Sequence, residues 1–142
     1  MEVLSRKVSL EDFGKGLAQA LACAKKEALK SECTYKHGAA LFKKNRIYSS
    51  GHNKGRSVGW VRPCRKRPFL EANMHAEIAC IHFVPKEIVS GRDVIVVRIN
   101  TYGFANSRPC SMCLSVLKRK NIRRCYYSIN NEYFGELNFS QP

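Results

Sequence analysis

Apolar residues recur at helical spacing through the first part of the chain: Leu10, Phe13, Leu17, Leu21, Ala24 and Ala28. This pattern predicts one amphipathic helix over residues 10–30. Ser9, with an acid three residues on at Asp12, makes a helix start, while Gly14 and Gly16 weaken its first turns. Two strand-like runs follow, 38–43 and 46–51. Lys44-Asn45 between them suits a tight antiparallel hairpin. Residues 54–70 hold Gly55, Gly59, Pro63, Pro68 and six basic side chains, which reads as a long loop of the kind that often carries function. A second helix is predicted from about Asn73 to just before Pro85. Residues 93–99 are dense in β-branched side chains and form the clearest strand. Ser107, Arg108 and Pro109 open a third helix, with Pro suited to the first turn and Leu114 and Leu117 giving an apolar face. A strand over 123–129 comes next. After Ile129 only 13 residues remain, too few for a parallel crossover and a further strand. Residues 132–137, as a strand, therefore fold back antiparallel through Asn130-Asn131.

The order α-β-β-α-β-α-β predicts an α/β fold: helices on both faces of one mixed sheet of about five strands, the last antiparallel. A chain of 142 residues fits a single domain, 1–142. A hydrophobic content of 44% excludes a wholly disordered chain. No apolar run approaches the roughly 20 residues that span a bilayer. Residues 1–11 lack the apolar core of a secretory signal. The expectation is a soluble intracellular protein, cytoplasmic or nuclear, that is not secreted and does not engage a membrane. Seven cysteines cannot all pair within one chain, which favours metal ligation or core packing over disulfides.

Charge changes the picture. Lys and Arg number 25 against 11 Asp and Glu, a formal net charge of +14. It is unevenly placed: residues 33–70 hold ten basic side chains and no acid, and residues 94–131 hold seven and no acid. Such a surplus attracts polyanions at long range, but it also serves simple solubility and cannot name a partner.

The chemistry sits at two predicted helix starts. One carries His75-Ala76-Glu77 and the other Pro109-Cys110-Ser111-Met112-Cys113. Cys110 and Cys113 are three apart, so on a helix they face the same way. Two thiolates and an imidazole form a ligand set suited to zinc, with a fourth position left open as in catalytic sites. A helix amino terminus also favours thiolate. Glu77, two residues from His75, is placed to carry a proton beside the open position without ligating.

H-x-E followed by P-C-x-x-C is the signature of the zinc nucleobase deaminases. Over most of its length the chain resembles that superfamily, the cytidine deaminase-like fold, of the CMP/dCMP type. The resemblance implies a three-layer α-β-α fold. It implies zinc held by His75, Cys110 and Cys113, with Glu77 as the catalytic proton carrier. It places the Ala76 amide against the base carbonyl and Asn53, after Gly51-His52, against the sugar. Tyr102 and Phe104, in the loop before the second motif, are candidate stacking partners for the base. Arg62, Arg65, Lys66 and Arg67, just before the first motif, are candidate phosphate contacts. His52 and His37 are lesser candidates to line the pocket, and His82 reads as a packed or surface histidine. Cys23, Cys33, Cys64, Cys80 and Cys125 read as unpaired thiols.

The implied activity is zinc-dependent hydrolytic deamination of cytosine to uracil in a cytidine or deoxycytidine nucleotide or in single-stranded nucleic acid. H-A-E is shared with deoxycytidylate deaminases, polynucleotide cytidine deaminases and tRNA adenosine deaminases. The last share P-C-x-M-C as well, and their segment after the corresponding strand resembles Asn131-Glu132-Tyr133-Phe134-Gly135. An RNA adenosine deaminase is therefore an alternative, and a non-catalytic zinc-stabilised nucleic-acid-binding subunit is another. Retention of Glu77 argues against the second, because a purely structural site has no use for that carboxylate. Relatives of this fold are often dimers or tetramers, so a homo-oligomer is in keeping with the resemblance.

Overall fold

The structure, a computed structural model, describes residues 4–54 and 75–139. Among the described residues seven strands form one sheet: β1 (Leu4–Ser9), β2 (Lys36–Lys43), β3 (Arg46–His52), β4 (Asp93–Asn100), β5 (Gly103–Ala105), β6 (Arg124–Ser128) and β7 (Tyr133–Asn138). The order is β1-β7-β6-β4-β2-β3, with β5 paired to the far end of β4. β4 and β6 run parallel, and every other pairing is antiparallel. Helix α1 (Lys15–Leu29) covers one face. Among the described residues the other helices are α2 (Ala76–Ile81), α3 (Lys86–Val89) and α4 (Ser111–Arg119), and α2 and α4 pack on the other face.

The strands alternate as a sheet buried on both sides requires. Ala40, Phe42, Ile95, Val97, Tyr126 and Phe134 face α1. Ala39, Leu41, Val94, Val96, Cys125 and Leu137 face α2 and α4. Two glycines bring the helices down onto the sheet. A Cβ at Gly38 of β2 would collide with the backbone of Ala24 and Ala28, which is why α1 buries a row of alanines, Ala20, Ala24 and Ala28, where larger side chains would hold it off. A Cβ at Gly51 of β3 would stand 2.7 Å from the backbone nitrogen of Cys80, so α2 seats directly on β3.

Seven strands exceed the five or so expected. Among the described residues β1 is an edge strand bonded to β7 alone, and its polar-rich Leu4–Ser9 carries little apolar signal. β5 has three residues and exists because the chain doubles back on the end of β4. The last strand is antiparallel as predicted, Cys125 opposing Leu137 and Tyr127 opposing Gly135. The predicted 10–30 helix is shorter. Ser9 Oγ accepts from the Glu11 amide, but that cap serves a single 3-10 turn, Leu10–Asp12, and extended Gly14 is the true cap of α1. The third helix also begins later than expected. Cys110, not Pro109, is its capping residue, so Pro109 lies outside the first turn.

Candidate metal centre and cavity

Four segments meet at one cavity: the start of β2, the carboxyl end of β3 and the starts of α2 and α4. His75 caps α2 in extended conformation, φ −75° and ψ 152°. Cys110 does the same for α4, φ −71° and ψ 169°. The segment leading to Cys110 is pinned by Ser107, whose buried hydroxyl donates to the Val96 carbonyl at 2.9 Å and accepts from the Ser128 amide at 2.8 Å. That bond pair ties the loop to β4 and β6 together, and α4 then departs with Leu114 N–H on the Cys110 carbonyl at 2.9 Å.

The ligand atoms of His75, Cys110 and Cys113 all lie within 4.8 Å of one another. His75 Nδ1 stands 3.1 Å from Cys113 Sγ and 3.6 Å from Cys110 Sγ. Ligand atoms of a tetrahedral zinc with bonds of about 2.0–2.3 Å stand about 3.3–3.8 Å apart, so this cluster is compatible with Zn2+. The Cys113 thiol bonded to Cys110 brings the Cys110 pKa down to about 3, and the same contact, with burial, pushes Cys113 up. Thiolate is the form in which cysteine ligates a cation.

Glu77 follows in the first turn of α2 and is 4% exposed. Burial pushes its carboxyl above the ordinary range, against the favourable effects of its own backbone amide and His75. A carboxyl so raised can hold and release a proton nearer neutrality.

The cluster opens on a cavity of about 270 Å³. His75, Ala76, Glu77 and Cys110 form the metal-centre side, and Tyr35, His37, Asn53, Ser107 and Arg108 complete the wall. Asn53 is held firmly. Its Oδ1 accepts from Ser31 Oγ at 2.6 Å and the His37 amide at 3.0 Å, and its Nδ2 donates to the Tyr35 carbonyl at 2.7 Å. One Nδ2 hydrogen is spent there, so the other is available to a ligand. Burial lowers the pKa of His37, keeping its imidazole neutral in the wall.

Of the residues singled out in the sequence, His75, Ala76, Glu77, Asn53 and Cys110 come to one cavity, with Cys113 directly behind. Tyr102 and Phe104 do not line it. Tyr102 sits on the β4–β5 turn, 87% exposed. Phe104 packs edge-on to Phe134, ring centroids 5.5 Å apart, in the cluster on the α1 face. The ring that does reach the cavity is Tyr35, under the guanidinium of Arg98 at 4.4 Å. Nothing local marked Tyr35, which strand order brings there, whereas Arg108 lies directly before Pro109 of the second motif. His37 does line the wall, whereas His52 turns away to Glu27, Nδ1 to Oε1 3.1 Å. His82 packs its ring on Phe83 at 4.1 Å. Arg62, Arg65, Lys66, Arg67 and Cys64 lie outside the described residues, as does the predicted helix start at Asn73.

Comparisons with known proteins agree with this arrangement. The model of the cytidine and deoxycytidylate deaminase zinc-binding region matches residues 15–129. No curated protein sequence matches the chain significantly. Among solved structures, the apo dCMP deaminase of cyanophage S-TIM5 is similar at 20% identity, covering 78% of this chain and 80% of that one, TM-score 0.55. The same phage enzyme in complex with dCMP and dUMP aligns at 16% identity over 78% of this chain and 75% of that one, TM-score 0.48. RibD of Acinetobacter baumannii, form 2, aligns at 17% identity over 79% of this chain and 26% of that one, TM-score 0.43. The phage apo enzyme shows the same fold. With the zinc-binding region matched across most of its length and the His/Cys/Cys cluster assembled in space, this chain belongs to the cytidine and deoxycytidylate deaminase family.

Proposed function

We propose that this protein is a zinc-dependent hydrolytic deaminase that converts cytosine to uracil in a cytidine or deoxycytidine nucleotide such as dCMP. The observation that carries the reading is the placement of a buried carboxylate, Glu77, in the wall of the same cavity as the His75, Cys110 and Cys113 donors. A structural zinc site has four protein ligands and no need of such a neighbour.

His75, Cys110 and Cys113 would hold the zinc, which when bound acts as a Lewis acid and makes water reactive near neutral pH. Glu77 takes a proton from the attacking water and delivers it to the base, so that water adds at the amine-bearing carbon. The same carboxylate then takes the proton of the added hydroxyl and passes it to the amine; the carbon–nitrogen bond breaks, and ammonia leaves with a carbonyl in its place. The Ala76 amide orients the base through its carbonyl oxygen, and Asn53 uses its remaining amide hydrogen on the sugar. Neutral His37 adds a wall without adding charge.

Ammonia release from zinc-loaded protein tests this, with cytidine, deoxycytidine, their monophosphates, single-stranded DNA and RNA, and adenosine-bearing RNA as substrates. The reading expects release from the cytosine mononucleotides. Release from adenosine-bearing RNA alone would replace it with the adenosine reading.

A further inference from the structure

We infer that Arg108 is the residue that selects a phosphate on the substrate, and that Tyr127 is its positioning residue. The inference deepens the proposed function and rests on it for the orientation of the nucleotide. Arg108 lines the cavity at its exposed side, as Cys110 does, whereas Cys113 and Glu77 are buried. A nucleotide whose base reaches the buried end must present its remaining acceptors at the exposed end. Beyond the sugar hydroxyls, the acceptor a nucleotide has there is its phosphate.

Arg108 is equipped for that acceptor. Its Nη1 donates to the Tyr127 hydroxyl at 3.0 Å, and its guanidinium carbon lies 5.5 Å from the Tyr127 ring centroid. Among the described residues no carboxylate pairs with it, unlike Arg6 and Arg123, which are each bound to an acid. A guanidinium has five N–H donors in a rigid fork, and one neutral partner leaves most of them to meet an anion. The partner is itself fixed. Tyr127 is buried, and its phenol end lies across Gly135 on β7, where a Cβ would collide with the ring. A glycine on the neighbouring strand thus gives Tyr127 the room from which it aims Arg108.

Equilibrium binding of dUMP and deoxyuridine, measured by calorimetry on the full chain, separates this from the deaminase reading. Wild type should bind dUMP about tenfold to a hundredfold more tightly than deoxyuridine, the range of a charge-assisted contact. Arg108→Ala should erase that ratio, Arg108→Lys should keep part of it, and Tyr127→Phe should reduce it several-fold. Equal binding of the two ligands by wild type, or equal weakening of both by Arg108→Ala, overturns the assignment. Phosphate-dependent binding without ammonia release from any cytosine substrate would support the Arg108 assignment and sink the deaminase reading alone.

Discussion

His75 and Cys110 each stand one residue before a helix, in extended conformation, and Cys113 lies a turn further in. The geometry puts one imidazole and two sulfurs on a common centre with little freedom to do otherwise. Replacing the buried member should therefore abolish metal binding. Metal analysis of Cys113→Ser is predicted to show zinc falling from about one per chain to near none. Cys80→Ala should retain it, since Cys80 is a core thiol whose burial pushes its pKa up to about 12. Retention of zinc by Cys113→Ser would show that the ligand set is wrong.

At the scale of elements, the site depends on how closely two helices approach the sheet. Gly51 lets α2 rest on β3, and an added methyl would meet backbone rather than a side chain that could swing away. Gly51→Ala is predicted to lower stability by about 1–3 kcal/mol, as overpacking does, read as a drop in melting temperature. An unchanged melting temperature would show that α2 can shift without cost. The sequence made these elements legible unevenly. The hairpin at Lys44-Asn45 and the β-branched strand at 93–99 stood out because local periodicity and turn chemistry determine them. β1 and β5 did not, because an edge strand and a three-residue return depend on partners far away in the chain. The same division runs through the site. His75, Glu77, Cys110 and Cys113 carry a spacing signature. Tyr35 enters the cavity only through tertiary placement; proximity in sequence to the P-C-x-x-C motif brings Arg108 there but was misleading for Tyr102 and Phe104.

Across the whole molecule, 25 basic residues leave the few acids well supplied with partners. Glu136 of β7 accepts from Arg6 Nε of β1 at 2.9 Å, tying the edge strand to the sheet. Burial opposes its ionisation, but Arg6 and Tyr126 outweigh that, and its carboxyl titrates below the ordinary value. Glu27, held by His52, Lys30 and Ser50 against the same burial, also titrates low. Groups lowered on folding contribute stability that is complete above the unfolded pKa of about 4.3 and is lost as pH falls through the folded value. Glu136→Gln should therefore lower the melting temperature at pH 7 and cost progressively less as pH falls below about 4. A pH-independent difference would show that the carboxylate's charge is not what matters. Zinc acts at this scale too. Held by donors at the starts of two helices, it would favour the folded chain, so chelation should lower the melting temperature and zinc restore it. The two acid-free stretches of the chain include both Asn53 and Arg108 of the cavity wall.

The most direct test is ammonia release from dCMP by zinc-loaded wild type and Glu77→Gln, with the zinc content of both measured in the same preparations. Equal zinc is expected, with a loss of about 10²–10⁴-fold in kcat for the variant, the range of a general acid–base group. Equal ammonia release from the two proteins would contradict the proton-carrying role of Glu77.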